Sequence, residues 1–313
     1  MFKYIFGPVL SSRLGRSLGV DLLGDRICSF DCLYCECGPT HSQTLHRAPY
    51  VHKDRVLQEL ETWLALDDHP EIDCITLGGE GEPCLNLHLG QIIEGIKNMV
   101  PQIPVAVLTN SSLLFSSEVR KELGAADVVL PSLDTLMPRE FARLNRPCTG
   151  LDIGSLAQNL TRFCKGFSGR IYLEILLVPG VNDSQENLEK MQEFLRDFKR
   201  DRVDITCMSR PGAHMQPAVP DPDVLHKWRS FLQIDPQDNP AGLFNHGQGE
   251  KRKVNTGCIL DSLRRRPQTR EQLCAALGLD PGETAAILDN LQASGLIQAI
   301  QERDQKFYTS KGF

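Results

Sequence analysis

No apolar run in this sequence approaches the roughly 20 residues needed to cross a bilayer. The opening stretch MFKYIFGPVL is apolar, but Lys3, Gly7 and Pro8 break it, too short for the apolar region of a secretory signal. The expected setting is the cytoplasm, with no membrane partner. A basic excess is also lacking: Lys and Arg number 34 against 40 Asp and Glu, for a net charge of −6. That balance excludes a broad surface for coating nucleic acid and leaves only local basic patches. The 11 cysteines are an odd number in a chain too large to need staples, which speaks against a disulfide framework. Internal repeats and low-complexity tracts are absent.

What remains is an ordinary globular composition, 41% hydrophobic and 24% charged over 313 residues, enough for one large domain with a small appendage. Strand-like runs at 17–23, 73–77, 104–109, 127–133, 170–178 and 202–208 alternate with amphipathic helical stretches. In 184–198, Leu188, Met191, Leu195 and Phe198 share one face behind Asp183 as a cap; in 221–232, Asp221 and Pro222 open a second helix. Strand, helix, strand repeated about six times predicts an α/β fold, a parallel sheet open or curled into a partial (β/α)6 TIM-like barrel. Its chemistry belongs in the loops at the carboxyl ends of the strands.

Composition turns to Pro, Gly, Asn and Gln across 233–251. The expected boundaries are a barrel over 1–235, a linker over 236–250 and a small domain over 251–313. In the last, three short helices precede two alternating segments, LIQAIQ and QKFYTS, with Thr269 and Gln272 set as a capping box and Gly295 as a stop. This pattern predicts a winged helix-turn-helix.

The densest chemistry is SFDCLYCECG. Cys28, Cys32 and Cys35 form C-x3-C-x2-C directly after the first expected strand. Structural zinc wants paired C-x2-C knuckles, and no second Cys or Cys/His pair follows. Three thiolates can instead hold three irons of a [4Fe–4S] cube and leave the fourth open. Cys37 lies two steps on, either a substrate-side thiol or a bystander. The remaining cysteines show no ligand spacing and read as small core residues.

C-x3-C-x2-C with Tyr34 before the last thiol resembles the signature of the radical S-adenosylmethionine (radical SAM) superfamily, and the resemblance runs from about 8 to 212. LGGEGEP at 77–83, LTNSS at 108–112, SLD at 132–134 and VPGVND at 178–183 each end an expected strand. GPVLSSRLGRSLGVDLL and SRPG further resemble a branch of iron–sulfur oxidoreductases related to the synthases that build the tricyclic wyosine base in tRNA. The resemblance implies a [4Fe–4S] cluster on Cys28, Cys32 and Cys35 and S-adenosylmethionine (SAM) chelating the open iron. Reductive cleavage would give methionine and a 5′-deoxyadenosyl radical that abstracts hydrogen from substrate. A flavodoxin- or ferredoxin-like electron donor would be a partner. Gly78 and Gly79 would let backbone approach the methionine moiety, with Glu80 accepting from its ammonium; Glu82 and Glu36 are weaker candidates. Asn110 would bond the carboxylate or ribose, and Ser132 and Asp134 the ribose, though a helix cap and turn chemistry are alternatives for these. Val178, Gly180 and Val181 would wall the adenine, while Asn182 and Asp183 could cap only the next helix.

Glu174 interrupts the apolar IYLEILLV; facing inward it would be a ligand for substrate or cofactor, facing outward a surface acid. Arg13, Arg16 and Arg210 are candidates for an anionic substrate or the SAM carboxylate. The would-be recognition helix, 280–294, carries Asp280, Glu283 and Asp289 but no Lys or Arg, so DNA is not the expected partner. Lys251, Arg252, Lys253, Arg264 to Arg266, Arg303 and Lys306 could grip RNA, or the module could add a peptide strand. RNA-base modification leads, peptide or protein modification follows, and an iron–sulfur redox-sensing regulator is the non-enzymatic alternative.

Overall fold

The structure, a computed structural model, describes residues 2–11, 13–67, 69–208, 211–215, 220–234, 256–265, 267–302 and 305–310. Seven strands form one sheet: β1 (Ile5–Ser11), β2 (Gly15–Val20), β3 (Cys74–Leu77), β4 (Val105–Thr109), β5 (Val128–Pro131), β6 (Arg170–Leu177) and β7 (Arg202–Cys207), in chain order across the sheet. Strands β2 to β7 are parallel; β1 pairs antiparallel with β2. The sheet ends on β1 and β7 without closing, a curled parallel-rich half-barrel.

Crossover helices α1 (Lys53–Leu64), α2 (Leu89–Met99), α3 (Ser117–Leu123), α4 (Pro138–Leu144), α5 (Ile153–Gly166) and α6 (Gln185–Arg196) join the parallel strands. A two-residue side-chain period divides each strand between two faces. Ile75, Leu77, Val105, Val107, Val129, Leu173 and Ile175 enter the main core. Their alternates Cys74, Ala106, Val128, Leu130 and Tyr172, with Leu14 from the β1–β2 turn, fill the inner face. Burial on both faces is why the strands read as continuous apolar runs.

Two expectations shift. β1 is an additional strand, concealed by Pro8: proline lacks the ladder N–H and is tolerated at a sheet edge, and the register slips between Phe6 and Val9. Ser184, not Asp183, caps α6, its side chain accepting from Asn187 N, whereas Asp183 accepts from Gly180 N.

Helix α7 (Pro222–Phe231), capped by Asp221, follows β7. The C-terminal elements are α8 (Thr256–Arg265), β8 (Gln268–Thr269), α9 (Arg270–Leu277), α10 (Pro281–Ala293), β9 (Ile297–Glu302) and β10 (Gln305–Ser310). The Thr269–Gln272 capping box is formed, and the three strands make a second sheet, β8–β10–β9. Ile259, Leu263, Leu273, Leu277, Leu288, Leu291, Ile297 and Tyr308 build a separate small core. Helices α8 and α9 lie alongside edge strand β1. The expected linker at 236–250 lies outside the described residues.

Trp228, only 1% exposed, seats α7 on the main core. Trp228→Ala is expected to cost about 3–5 kcal/mol, measured as a lowered urea midpoint.

Candidate active site at the carboxyl ends of the strands

The loop after β2 carries all three motif cysteines. A short parallel pairing, Ile27–Cys28 with Ser42–Gln43, closes its base. Cys35 N donates to Cys32 O and Gly38 N to Cys35 O, so the motif folds as consecutive tight turns. Burial pushes the Cys28 thiol up to about 12, with the Glu82 charge adding to it. Burial raises Cys32 too, and the charges of Cys28 and Cys35 add to that, so the three thiols lie within electrostatic reach of one another on one short loop. A hydrogen bond from Cys37 lowers Cys35, and Cys37 itself donates to Gly79 O at 3.0 Å. Among the described residues no three Cys, His, Asp or Glu side chains converge as ligands of a single ion.

The loop after β3 forms the adjoining wall. Gly79 has φ +145°, and a Cβ there would lie 3.0 Å from the Asp21 side chain. At Gly81 a Cβ would fall 1.9 Å from Ile27 O, so glycine is needed to seat this loop on the cysteine loop. Gly78 differs. A Cβ there would meet Leu108 at an ordinary 3.6 Å, so the protein itself does not require glycine at that position. A ligand passing close to the backbone would. Glu80 is partly buried, and its charge helps raise Cys37. Glu36 is likewise partly buried, close enough for its charge to act on Cys35.

Several expected ligands also brace the fold. Glu82 is 1% exposed, and its two oxygens accept from Thr109 Oγ1 at 2.7 Å, Asn110 N at 2.7 Å and Cys84 N at 3.1 Å. It therefore caps and braces its own loop. Asn110 spends its amide on Ser29 Oγ (2.9 Å) and Cys28 Sγ (3.4 Å), while its Oδ1 accepts from Ser112 N. Asp134, 4% exposed, accepts from Tyr34 OH (2.6 Å), Asn145 Nδ2 (2.8 Å) and Leu176 N (2.9 Å). Burial pushes its pKa up to about 6 against those bonds. A carboxylate so bonded braces the fold at this position. Ser132 sits beside this strut at the end of β5, its N bonded to Thr109 O.

Val178 and Val181 pack with Tyr34, Leu33, Leu144, Leu176, Met208 and Met215 in an apolar cluster. Asn182, fully buried, donates to Asp134 O and Leu176 O and accepts from Val178 N, fixing the β6 exit; Gly180 takes φ +69° in that turn. Glu174 does face inward, on Tyr172's side, paired with Arg13 at 2.9 Å. Arg16 pairs with Asp73 and Glu71 where β2 and β3 begin, the end of the sheet opposite the site. It is too far down the strands to serve a ligand there. Arg210 lies outside the described residues.

Three contributors escaped sequence reasoning. Asn145, after α4, bonds Cys32 Sγ (3.7 Å) and Asp134. Ser29 Oγ pairs with Ser112 Oγ at 2.6 Å. Asp31 accepts from Thr40 N and pairs with Arg146 (3.1 Å) and His214 (2.9 Å). The segment 211–215 lies across the cysteine loop: His214 N donates to Leu33 O, and a Cβ on Gly212 would sit 2.9 Å from Tyr34 backbone. No short motif marks these residues; only tertiary contact does. Asp134→Ala strands several buried donors and is expected to cost about 2–4 kcal/mol in urea unfolding, whereas Tyr34→Phe costs about 1 kcal/mol.

Comparison with known proteins bears on this geometry. The family described as the radical SAM superfamily matches residues 25–195, more than half the chain. A UPF0026 protein of Helicobacter pylori (strain J99) is 33% identical over 283 residues, covering 88% of each chain. A protein of Brachyspira hyodysenteriae named GTPase Obg is 31% identical over 299 residues; these are 95% of this chain and 43% of that one, so the present chain spans less than half of that relative. Among solved structures, a radical SAM methyltransferase from Sphaerobacter thermophilus superposes with a TM-score of 0.49 at 19% identity, over 69% of this chain and 63% of the other. The family's cofactors are a [4Fe–4S] cluster and S-adenosylmethionine, which suit the three-thiol loop and the glycine wall. The chain belongs to the radical SAM superfamily.

Proposed function

We propose that this chain is a radical SAM enzyme acting on a C–H bond of a macromolecular substrate, with an RNA base as the leading candidate. The observation that supports the enzymatic reading is the grouping of three motif thiols on one tightly turned loop beside a glycine, Gly78, that the fold itself does not need. Cys28, Cys32 and Cys35 would hold three irons, and Asn110 and Asn145 would orient the thiolates of Cys28 and Cys32. When bound, the cofactor pair supplies reductive cleavage of the sulfonium and a radical able to take hydrogen from an unactivated C–H. Gly78, Gly79 and Glu80 would receive the methionine part, Glu80 accepting from its ammonium. Ser132 and the Val178–Val181 wall would receive the adenosine. Tyr34, Val178, Met208 and Met215 exclude water from that side. A redox sensor would have no use for the glycine wall, which favours the enzyme.

The C-terminal elements read as a winged helix, a module for substrate recognition. Helix α10 presents acidic Asp280, Glu283 and Asp289, which disfavours major-groove binding. The RNA reading is supported by the wyosine-like GPVLSSRLGRSLGVDLL, which folds as the β1–β2 hairpin and delivers Arg13 to the inner face.

Anaerobic reconstitution, reduction and addition of SAM should yield 5′-deoxyadenosine. Cys28→Ala should lose both cluster absorbance and product. Gly78→Ala should keep the absorbance and weaken SAM roughly tenfold or more, equivalent to about 1.4 kcal/mol; an unchanged SAM requirement would remove the assigned role of Gly78. For the substrate, the full chain should retain labelled bulk tRNA with an affinity that falls as salt rises. Retention of peptides with no hold on tRNA would favour the peptide-modifying alternative.

A further inference from the structure

The inner face holds a polar band above its apolar floor. Parallel pairing sets Glu174 beside Asp204, and Ser132 bridges to Glu174, so both acids line up with the carboxyl end of β5, where the candidate site begins. Below them lie Leu14, Leu130 and Tyr172; the cluster of Tyr34, Val178 and Met208 forms the other apolar boundary. Charged groups facing this band come from three strands or turns and from the cysteine loop: Arg13, Glu174, Arg202, Asp204 and Glu36. Arg13 Nη1 forms an ion pair with Glu174 at 2.9 Å, by charge and proximity and without hydrogen-bond geometry, and Thr206 Oγ1 donates to Glu174. Arg202 Nε donates to Asp204 Oδ1 at 2.7 Å. The second oxygen, Asp204 Oδ2, is buried and has no hydrogen-bond partner among the described residues.

An acceptor buried without a donor is costly, and native folds retain few of them. Burial raises the Asp204 pKa in spite of Arg202 and Arg13, so those two cations do not compensate it fully. We infer that Asp204 is a substrate-anchoring residue whose free oxygen accepts a hydrogen bond from an amine or amide nitrogen of the substrate. An anionic group would meet three acids, Asp204, Glu174 and Glu36, against Arg13 and Arg202, whose charges are each matched by one of those acids. An apolar group would leave the oxygen unsatisfied. An N–H donor satisfies the oxygen, and an ammonium also offsets the local excess of negative charge. This inference rests on the reading of the face as the substrate chamber of a radical SAM enzyme.

The test uses the full chain, loaded anaerobically with cluster and SAM and titrated with butylamine, butanamide and butyrate. Thermal midpoint and 5′-deoxyadenosine formation are read together. Butylamine and butanamide are expected to raise the midpoint saturably and to change the rate, while butyrate does neither. Asp204→Asn, which turns the acceptor into a donor while keeping an oxygen for Arg202, should weaken both nitrogen probes about tenfold or more. Butyrate binding as well as butylamine overturns the inference, as does an indifferent Asp204→Asn. Loss of the amine effect on adding SAM also overturns it, since Asp204 would then serve the cofactor. Should Asp204→Asn misfold, the wild-type contrast between amine and butyrate decides. Amine binding without any 5′-deoxyadenosine would sink the enzymatic reading and leave the anchor standing.

Discussion

Asp134 ties the cysteine loop to the rest of the fold. Its carboxylate receives Tyr34 from the loop, Asn145 from the end of α4 and the backbone of β6 at Leu176, and its own carbonyl is held by Asn182 and Asn187. Removing a carboxyl group from water is unfavourable, as its raised pKa of about 6 records. Each of the three bonds it accepts offsets part of that cost. The site is thus held by a shared network: Tyr34 is placed, and with it the backbone on either side of Cys32 and Cys35.

Glu82 plays the matching part on the opposite wall. It sits at the head of a short 3-10 turn, Pro83–Leu85, and reaches across to Thr109 and Asn110 at the end of β4. Asn110 passes the constraint on to Ser29 and Cys28. Two buried acids, one on each flank, hold the loop through neutral amides and hydroxyls. The cations on this loop bond its backbone and Asp31, Arg26 donating to Cys37 O and Arg146 pairing with Asp31.

Much of this architecture was legible in the sequence, because burial on both faces leaves an apolar run for every parallel strand. The six runs at 17–23, 73–77, 104–109, 127–133, 170–178 and 202–208 all correspond to strands, differing by a few residues at their ends. Glu174 was legible as an acid interrupting an apolar run, with its direction open; in the structure it shares the face of Tyr172 and Leu176. β1 was hidden, because Pro8 disguises an edge strand as an irregular leader. The struts were hidden for another reason. Asn145 lies 113 residues from Cys32, and an asparagine in RLNRPCTG carries no local mark of a partner so distant. Glu82 and Asp134 were visible as acids in motif positions, but whether such an acid faces a ligand or the protein depends on donors supplied by other strands.

The segment 211–215 shares its bonds with the cysteine loop, through His214 to Asp31 and Leu33 and through the close seat of Gly212 on Tyr34. The rim contributed by the last strand and the loop bearing the thiols therefore gain order as one body. Thermodynamic reciprocity follows: whatever stiffens the thiol loop pre-arranges the mouth beside β7, and whatever settles in that mouth tightens the grip on the thiol loop's cargo.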